Sequence, residues 1–178
     1  MLHDVHLEGA QVELHELCED DASDDYAGWL NDPVVNQYLE TRSVTIQDLK
    51  DFIHDKNADE GALLLGIFCK RTKKHIGNVK LEPIERKKKK ATIGLLIGDK
   101  KYWGKGIGTE VTNVVTQFAF DVLGLEEVNL GVIAENKPAI RVYEKCGFTI
   151  DRTNKGAIRH GNTLHDQVIM RRYASVRQ

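Results

Sequence analysis

Lys100–Glu110 reads KKYWGKGIGTE and sets three glycines, Gly104, Gly106 and Gly108, two residues apart, directly before an apolar-periodic run. Glycines gather where a backbone must approach something closely or take a conformation that side chains forbid. In the run that follows, Ile107, Val111, Val114, Val115, Phe118, Ala119 and Val122 recur at helical spacing, and Gly124 stands where a left-handed cap would close the helix. The segment before the glycines, ATIGLLIGD (91–99), reads as a strand. The one after the helix, EEVNLGVIA (126–134), alternates Val128, Leu130 and Val132 and reads as another. Strand, glycine turn, helix and strand make a crossover unit. Its helix start offers unpaired N–H groups and the positive end of a dipole to an anion.

The rest of the chain arranges itself around this unit. QVELHEL (11–17) is expected to be a strand, and EDDASDDYAGWLN (19–31) a helix with acids at its start that stops before Pro33. TIQDLKDFIHDK (45–56) is expected to be a helix capped by Thr45 or Ser43. ALLLGIFCK (62–70) and KHIGNVKLEP (74–83) are expected to be strands joined at the polar turn KRTKK. NKPAIRVYEKCGF (136–148) reads as a short helix with Asn136 as cap and Pro138 in its first turn. FTIDRT and LHDQVIMRRY close the chain as strands around the turn signals Gly156 and Gly161-Asn162. The expectation is a single α/β domain over 1–178, with antiparallel strands first and the crossover in the middle.

Composition narrows the function. The 178 residues carry a formal net charge of −2, with 41% hydrophobic and 29% charged residues. No global basic field exists to hold phosphates, so a nucleic-acid partner is not expected. No apolar run nears the roughly 20 residues that span a bilayer, and no secretory signal opens the chain, so neither a membrane association nor export is expected. Cys18, Cys69 and Cys146 are odd in number and far apart, which suits a reducing, cytoplasmic setting, and no metal-ligand spacing is present. Two phosphate motifs fail on the glycine stretch. A Walker loop needs Lys-Ser/Thr after its second glycine, where Ile107 follows Gly106; a dinucleotide fingerprint read from Gly106 needs its last glycine where Val111 stands.

A third pattern fits. Trp103-Gly104-Lys105-Gly106-Ile107-Gly108 resembles the acyl-CoA pyrophosphate loop, Q/R-x-x-G-x-G/A, of the Gcn5-related N-acetyltransferases, with Trp103 in the Gln/Arg position. Downstream, Asn136, Ala139, Tyr143, Gly147 and Phe148 resemble the same family's N-x-x-A-x-x-x-Y-x-x-x-GF segment. The form YWGKGIGTE and the opening ELCEDDASDDYAGWLNDPVVNQYL are similar to the branch that includes the ribosomal-protein N-acetyltransferases. The likeness covers roughly residues 11–173.

That resemblance implies a mixed, mostly antiparallel sheet whose central parallel strand pair splays, with the pantetheine arm of acetyl-CoA, the co-substrate, lying in the gap. It implies cofactor contacts from Trp103, Gly104, Lys105, Gly106, Ile107, Gly108 and Thr109, from a backbone N–H near Leu96 or Ile97 that would polarise the thioester carbonyl, and from Asn136. Acyl transfer to an amine needs a proton off the amine and a proton onto the departing thiolate. Tyr143 shares a helix face with Asn136 and is expected to supply the second. For the first, Glu82 is preferred among Glu82, Glu85, Asp99 and Glu135, since some relatives carry a glutamate where this chain has Gly131. Cys146 reads as a small apolar residue rather than a nucleophile.

The acceptor is expected to be a small-molecule or peptide amine, shaped by Tyr38 and Arg42. The run Arg86–Lys90 favours one on an anionic scaffold, such as a nucleotide-linked amino sugar, ahead of a ribosomal-protein N-terminus and against a polyamine. A monomer or homodimer is expected. The competing reading is a module of the same fold that senses acyl-CoA without turnover.

Overall fold

A computed structural model describes residues 4–39, 43–160 and 162–175. In chain order the elements are β1 (His6–Glu8), β2 (Val12–Glu16), α1 (Asp24–Asn31), α2 (Ile46–Ala58), β3 (Leu63–Cys69), β4 (His75–Glu85), β5 (Lys90–Ile97), α3 (Ile107–Asp121), β6 (Glu127–Ile133), α4 (Lys137–Lys145), β7 (Thr149–His160) and β8 (Thr163–Tyr173). The strands form one sheet in the order β1-β2-β3-β4-β5-β6-β8-β7. Every pairing is antiparallel except β5 with β6.

Alternation along the strands sorts side chains between two layers. Leu63, Leu65 and Ile67 of β3, Val79 and Leu81 of β4, and Val128, Leu130 and Val132 of β6 pack on one face beneath Ile107, Val111, Val115 and Ala119 of α3 and Ile140 and Tyr143 of α4. Leu64 and Phe68 point the other way, under Tyr26 and Ala27 of α1 and Leu49 and Ile53 of α2. Each fully buried aliphatic side chain contributes about 1.5–3 kcal/mol. The second pair of helices covers only the β2–β4 side. Beyond it, β5, β6 and β8 show a polar floor of Thr92, Gly94, Asn129, Gly131, Gln167 and Arg171, none of them fully buried. This uncovered floor faces away from α3 and α4.

Local chemistry sets the helix ends. Ser23, not the acidic run, starts α1: its hydroxyl accepts from the Tyr26 N–H at 3.2 Å, and Glu19–Asp21 form a separate short turn. Thr45 caps α2 in a reciprocal box with Asp48. Asn136 caps α4 by accepting from the Ala139 N–H at 3.2 Å. The apolar stripe of α3 runs one residue too far in the sequence reading: Val122 lies past the helix end and is 67% exposed. Gly156 is not a turn. It sits inside β7, at φ +57°, where the register against β8 shifts. β1 is too short to show a periodicity, and the sequence reading passes over it.

Candidate active site

β5 and β6 are joined only through Lys90, Ala91 and Thr92, opposite Glu127, Val128 and Asn129. Past that point each strand keeps its outer partner and loses the inner one, so the pair splays toward its C-terminal end. Backbone alternation then fixes what faces the gap. The Gly98 N–H donates to Ile76 O, which turns Gly98 and Leu96 toward β4, and Leu95 and Ile97 toward the gap. The Ala134 N–H donates to Asp166 O, which turns Ala134 and Val132 toward β8, and Gly131 and Ile133 toward the gap. Of the two residues expected near the thioester, Ile97 presents its N–H to the gap, while that of Leu96 faces β4.

The glycine stretch lies at the open end of this splay. Gly104 and Gly106 have φ of +71° and +80°, and a Cβ at either would meet nothing within 4 Å. Their conformation demands glycine, and the space beside them is clear. α3 begins directly afterwards with no side-chain cap. The one acid in its first turn, Glu110, is turned away, accepting from the Gln11 N–H at 2.8 Å and the Gln11 side chain at 3.1 Å. Among the described residues none of the six N–H groups from Gly104 to Thr109 finds an acceptor. Gly108 differs: its φ is not left-handed, and a Cβ there would rest against Val142 and Leu95 at ordinary contact distance. Trp103 folds its indole back to donate to Ile97 O at 2.7 Å and remains 42% exposed. The Lys105 ammonium lies 5.5 Å over the Tyr102 ring. Six unpartnered donors, two open glycines and a helix dipole fit a pyrophosphate.

Tyr143 stands on α4, in the core that underlies the splay, with its ring edge against Phe148 at 5.9 Å. Burial pushes its phenol up to about 12, and the nearby Cys146 thiol adds to this. It therefore keeps its proton at every ordinary pH. Cys146 is buried, which raises its own thiol, and its Sγ donates to Thr109 O at 3.4 Å. Among the described residues no base is found beside it. Asn136 uses its side-chain oxygen on the helix cap, leaving its amide N–H groups for other work.

On the open floor, Glu82 is held between two ammonium groups, those of Lys56 from α2 and of Lys80 at 2.9 Å. Burial works to raise its carboxyl, but the two lysine hydrogen bonds outweigh it and hold the group below the usual carboxylate range. A carboxylate so engaged is a weak proton acceptor. The stem of Lys80 runs over Gly94, and the Gln167 amide lies over Gly131. Extending the β5–β6 register sets these two glycines opposite each other, as a window through the floor at the splay. The place where some relatives carry a glutamate is thus covered by an amide from β8. No local sequence signal marks Gln167, because the contact depends on strand register. Tyr38 is half-buried in a short turn after α1, six residues beyond Asp32, which pairs with Lys100 just past the end of β5. Arg42 lies outside the described residues.

The run Arg86–Lys90 lies elsewhere. It forms the β4–β5 hairpin, at the zipped end of the strand pair, seven residues and roughly 25 Å from Ile97. Lys88 and Lys90 pair with Glu85 at 2.5 and 3.3 Å, and Lys89 with Glu126 at 2.6 Å. The hairpin is thus away from the open end, and Lys88, Lys89 and Lys90 each have a carboxylate partner, so its position gives no support to steering of an acceptor.

Residues 11–149 match the model of the acetyltransferase (GNAT) domain family. The chain belongs to that family. It is 29% identical over 122 residues to the spermidine N(1)-acetyltransferase of Escherichia coli, covering 68% of this chain and 63% of that one. Among solved structures it is similar to the microcin C7 self-immunity acetyltransferase in complex with acetyl-CoA and AMP, at 25% identity, TM-score 0.81 and 93% coverage of both chains. It shares its fold with a ribosomal-protein-S5-alanine acetyltransferase of Vibrio fischeri, at 20% identity, TM-score 0.80 and coverage of 96% and 97%. The GNAT chain is an N-acetyltransferase, with the expected mixed sheet and parallel pair.

Proposed function

We propose that this N-acetyltransferase moves an acetyl group directly from acetyl-CoA to a primary amine carried on an anionic scaffold. The observation that carries the donor side is the row of six unpartnered N–H groups at the start of α3, beside a splay whose edges offer the backbone of Leu95, Ile97, Gly131 and Ile133. The pyrophosphate rests on the first set and the pantetheine amides pair with the second. The Ile97 N–H points where the thioester oxygen gains charge. Tyr143, kept protonated by its burial, gives a proton to the departing sulfur.

The acceptor side is the uncovered floor, with Tyr38 as a rim residue and Arg42 kept as an acceptor contact on the sequence reading alone. Beside the glycine window two ammonium groups, Lys56 and Lys80, share one carboxylate, Glu82. That balance suits an anionic carrier and opposes a polycation. A nucleotide-linked amino sugar is the first candidate and a protein N-terminus the second. The spermidine relative favours a third, a polyamine. Free-thiol release with a uridine-diphosphate amino sugar, a tripeptide and spermidine separates them. The anionic carrier should give the highest kcat/KM. If spermidine gave it, the acceptor reading would be wrong, and acetyl-CoA binding without release on a wide amine panel would point to a sensor.

A further inference from the structure

The reaction needs a proton acceptor for the amine, and Glu82 is engaged by two lysines. The β6–β8 ladder points to another group. Ile133 pairs with Gln167, and the Ala134 N–H bonds Asp166 O at 2.9 Å, so the same register continues to set Glu135 opposite His165. Their side chains do meet: His165 Nδ1 lies 3.6 Å from a Glu135 carboxylate oxygen. Val168 and Met170 of β8 point into the α3–α4 core, so Gln167 and His165 lie on the open floor. Extending the β5–β6 register places Ile97 level with Ala134, hence with Asp166. The two side chains that flank this level on the floor are Gln167, over the glycine window, and His165. The imidazole is partly open, at 22% exposure, and no described residue hydrogen-bonds its Nε2. The titratable groups facing it are Glu135, from the turn before α4, and His160 of β7, whose ring centre is 5.1 Å away. Asp166, beside it in sequence, is turned to Lys155.

We infer that His165 takes the proton of the acceptor ammonium on Nε2, with Glu135 holding Nδ1 as a positioning residue. The inference rests on the acetyl-transfer reading above. In the step, R–NH3+ gives one proton to the imidazole, which passes it to solvent. The freed lone pair forms the C–N bond, and the C–S electron pair leaves with the CoA sulfur. The sulfur takes a proton from Tyr143, which is restored by the second proton shed from nitrogen. The sum is acetyl-CoA and ammonium going to amide, CoA thiol and one proton. The geometry is suited to this because Glu135 faces Nδ1 while Nε2 is left open, and an unprotonated imidazole nitrogen can accept a proton.

The test compares wild type, His165→Gln, Glu135→Gln and Glu82→Gln in CoA release from about pH 6 to about pH 9.5, with the best acceptor among a tripeptide, a uridine-diphosphate amino sugar and spermidine. His165→Gln should lower kcat about 10²–10⁴-fold near pH 7 with acetyl-CoA affinity and melting temperature kept. Its pH profile should follow the amine alone, and added imidazole should restore part of the rate. Glu135→Gln should give a smaller loss that falls on kcat with KM kept, and Glu82→Gln should keep the wild-type acidic limb. A His165→Gln enzyme with wild-type rate and profile overturns the inference and leaves the acetyl-transfer reading intact. So does a lower rate with an unchanged profile and no imidazole rescue. A wild type that binds acetyl-CoA but acetylates no amine sinks the underlying reading, and this inference with it.

Discussion

Gly106 and Gly124 form a matched pair for testing the cradle. Both have left-handed φ, +80° and +66°, and in both a Cβ would meet nothing within 4 Å. Alanine at either position therefore imposes the same backbone strain, about 1–2 kcal/mol, and no clash. In a chain of 178 residues that strain lowers the melting temperature by roughly 2–8 °C. The two positions differ in what lies beside them. Gly106 is the residue before α3, in the middle of the six free N–H groups, whereas Gly124 follows the other end of the same helix. A methyl group at 106, or a small rotation to relieve its strain, takes one charge-assisted hydrogen bond from the pyrophosphate. Such a bond is worth about 1.5–3 kcal/mol, so Kd should rise roughly 10–150-fold. Calorimetric titration with acetyl-CoA should show that rise for Gly106→Ala and none for Gly124→Ala, with similar melting losses. Wild-type affinity in Gly106→Ala would refute a cradle at the start of α3, and an equal loss of affinity in both variants would mean that the effect is strain alone.

Other outcomes follow from the same geometry. Tyr143→Phe should cut kcat by about 10²–10⁴ with little change in KM, as expected of a group used only when charge develops on sulfur. Because burial pushes this phenol up to about 12, wild-type turnover should not fall between about pH 8 and about pH 10. Glu82→Gln should cost about 1 kcal/mol at neutral pH by leaving Lys56 and Lys80 without their shared carboxylate. The folded-state carboxyl is held low, so this contribution is present above the unfolded value near 4.3 and is lost as pH falls through the folded value; melting curves of the two proteins should converge on acidification. Replacing Lys87 and Lys88 by Gln should leave kcat/KM and its salt dependence unchanged, whereas Lys80→Met should raise KM for an anionic acceptor, measured at two ionic strengths.

Much of the donor side was legible because it is local. The glycines, the α3 stripe and the Asn136 cap act within a few residues of one another, and their spacing survives as pattern. The parallel pair could be read from the strand–helix–strand order. The acceptor side is assembled by register, which a single strand does not encode. Lys56 and Glu82 meet across 26 positions, and Glu135 and His165 across a helix and a hairpin. The lysine run misled for the opposite reason: it is conspicuous in sequence, yet β5 carries it to the closed end, where Glu85 and Glu126 take three of its charges. Glu82 looked free for catalysis because one of its lysine partners, Lys56, comes from α2, far off in sequence, while Lys80 lies two residues away on the same strand.

The central claim is that acetyl-CoA seats its pyrophosphate on the N–H groups from Gly104 to Thr109. The most direct measurement is a backbone-amide NMR titration of the nitrogen-15-labelled protein with CoA. The account predicts that the largest shifts fall on Gly104 to Thr109, with Ile97 and Gly131 following as the splay fills, while Gly124 stays in place. Saturating CoA that moves other amides and leaves Gly104 to Thr109 unchanged would contradict it.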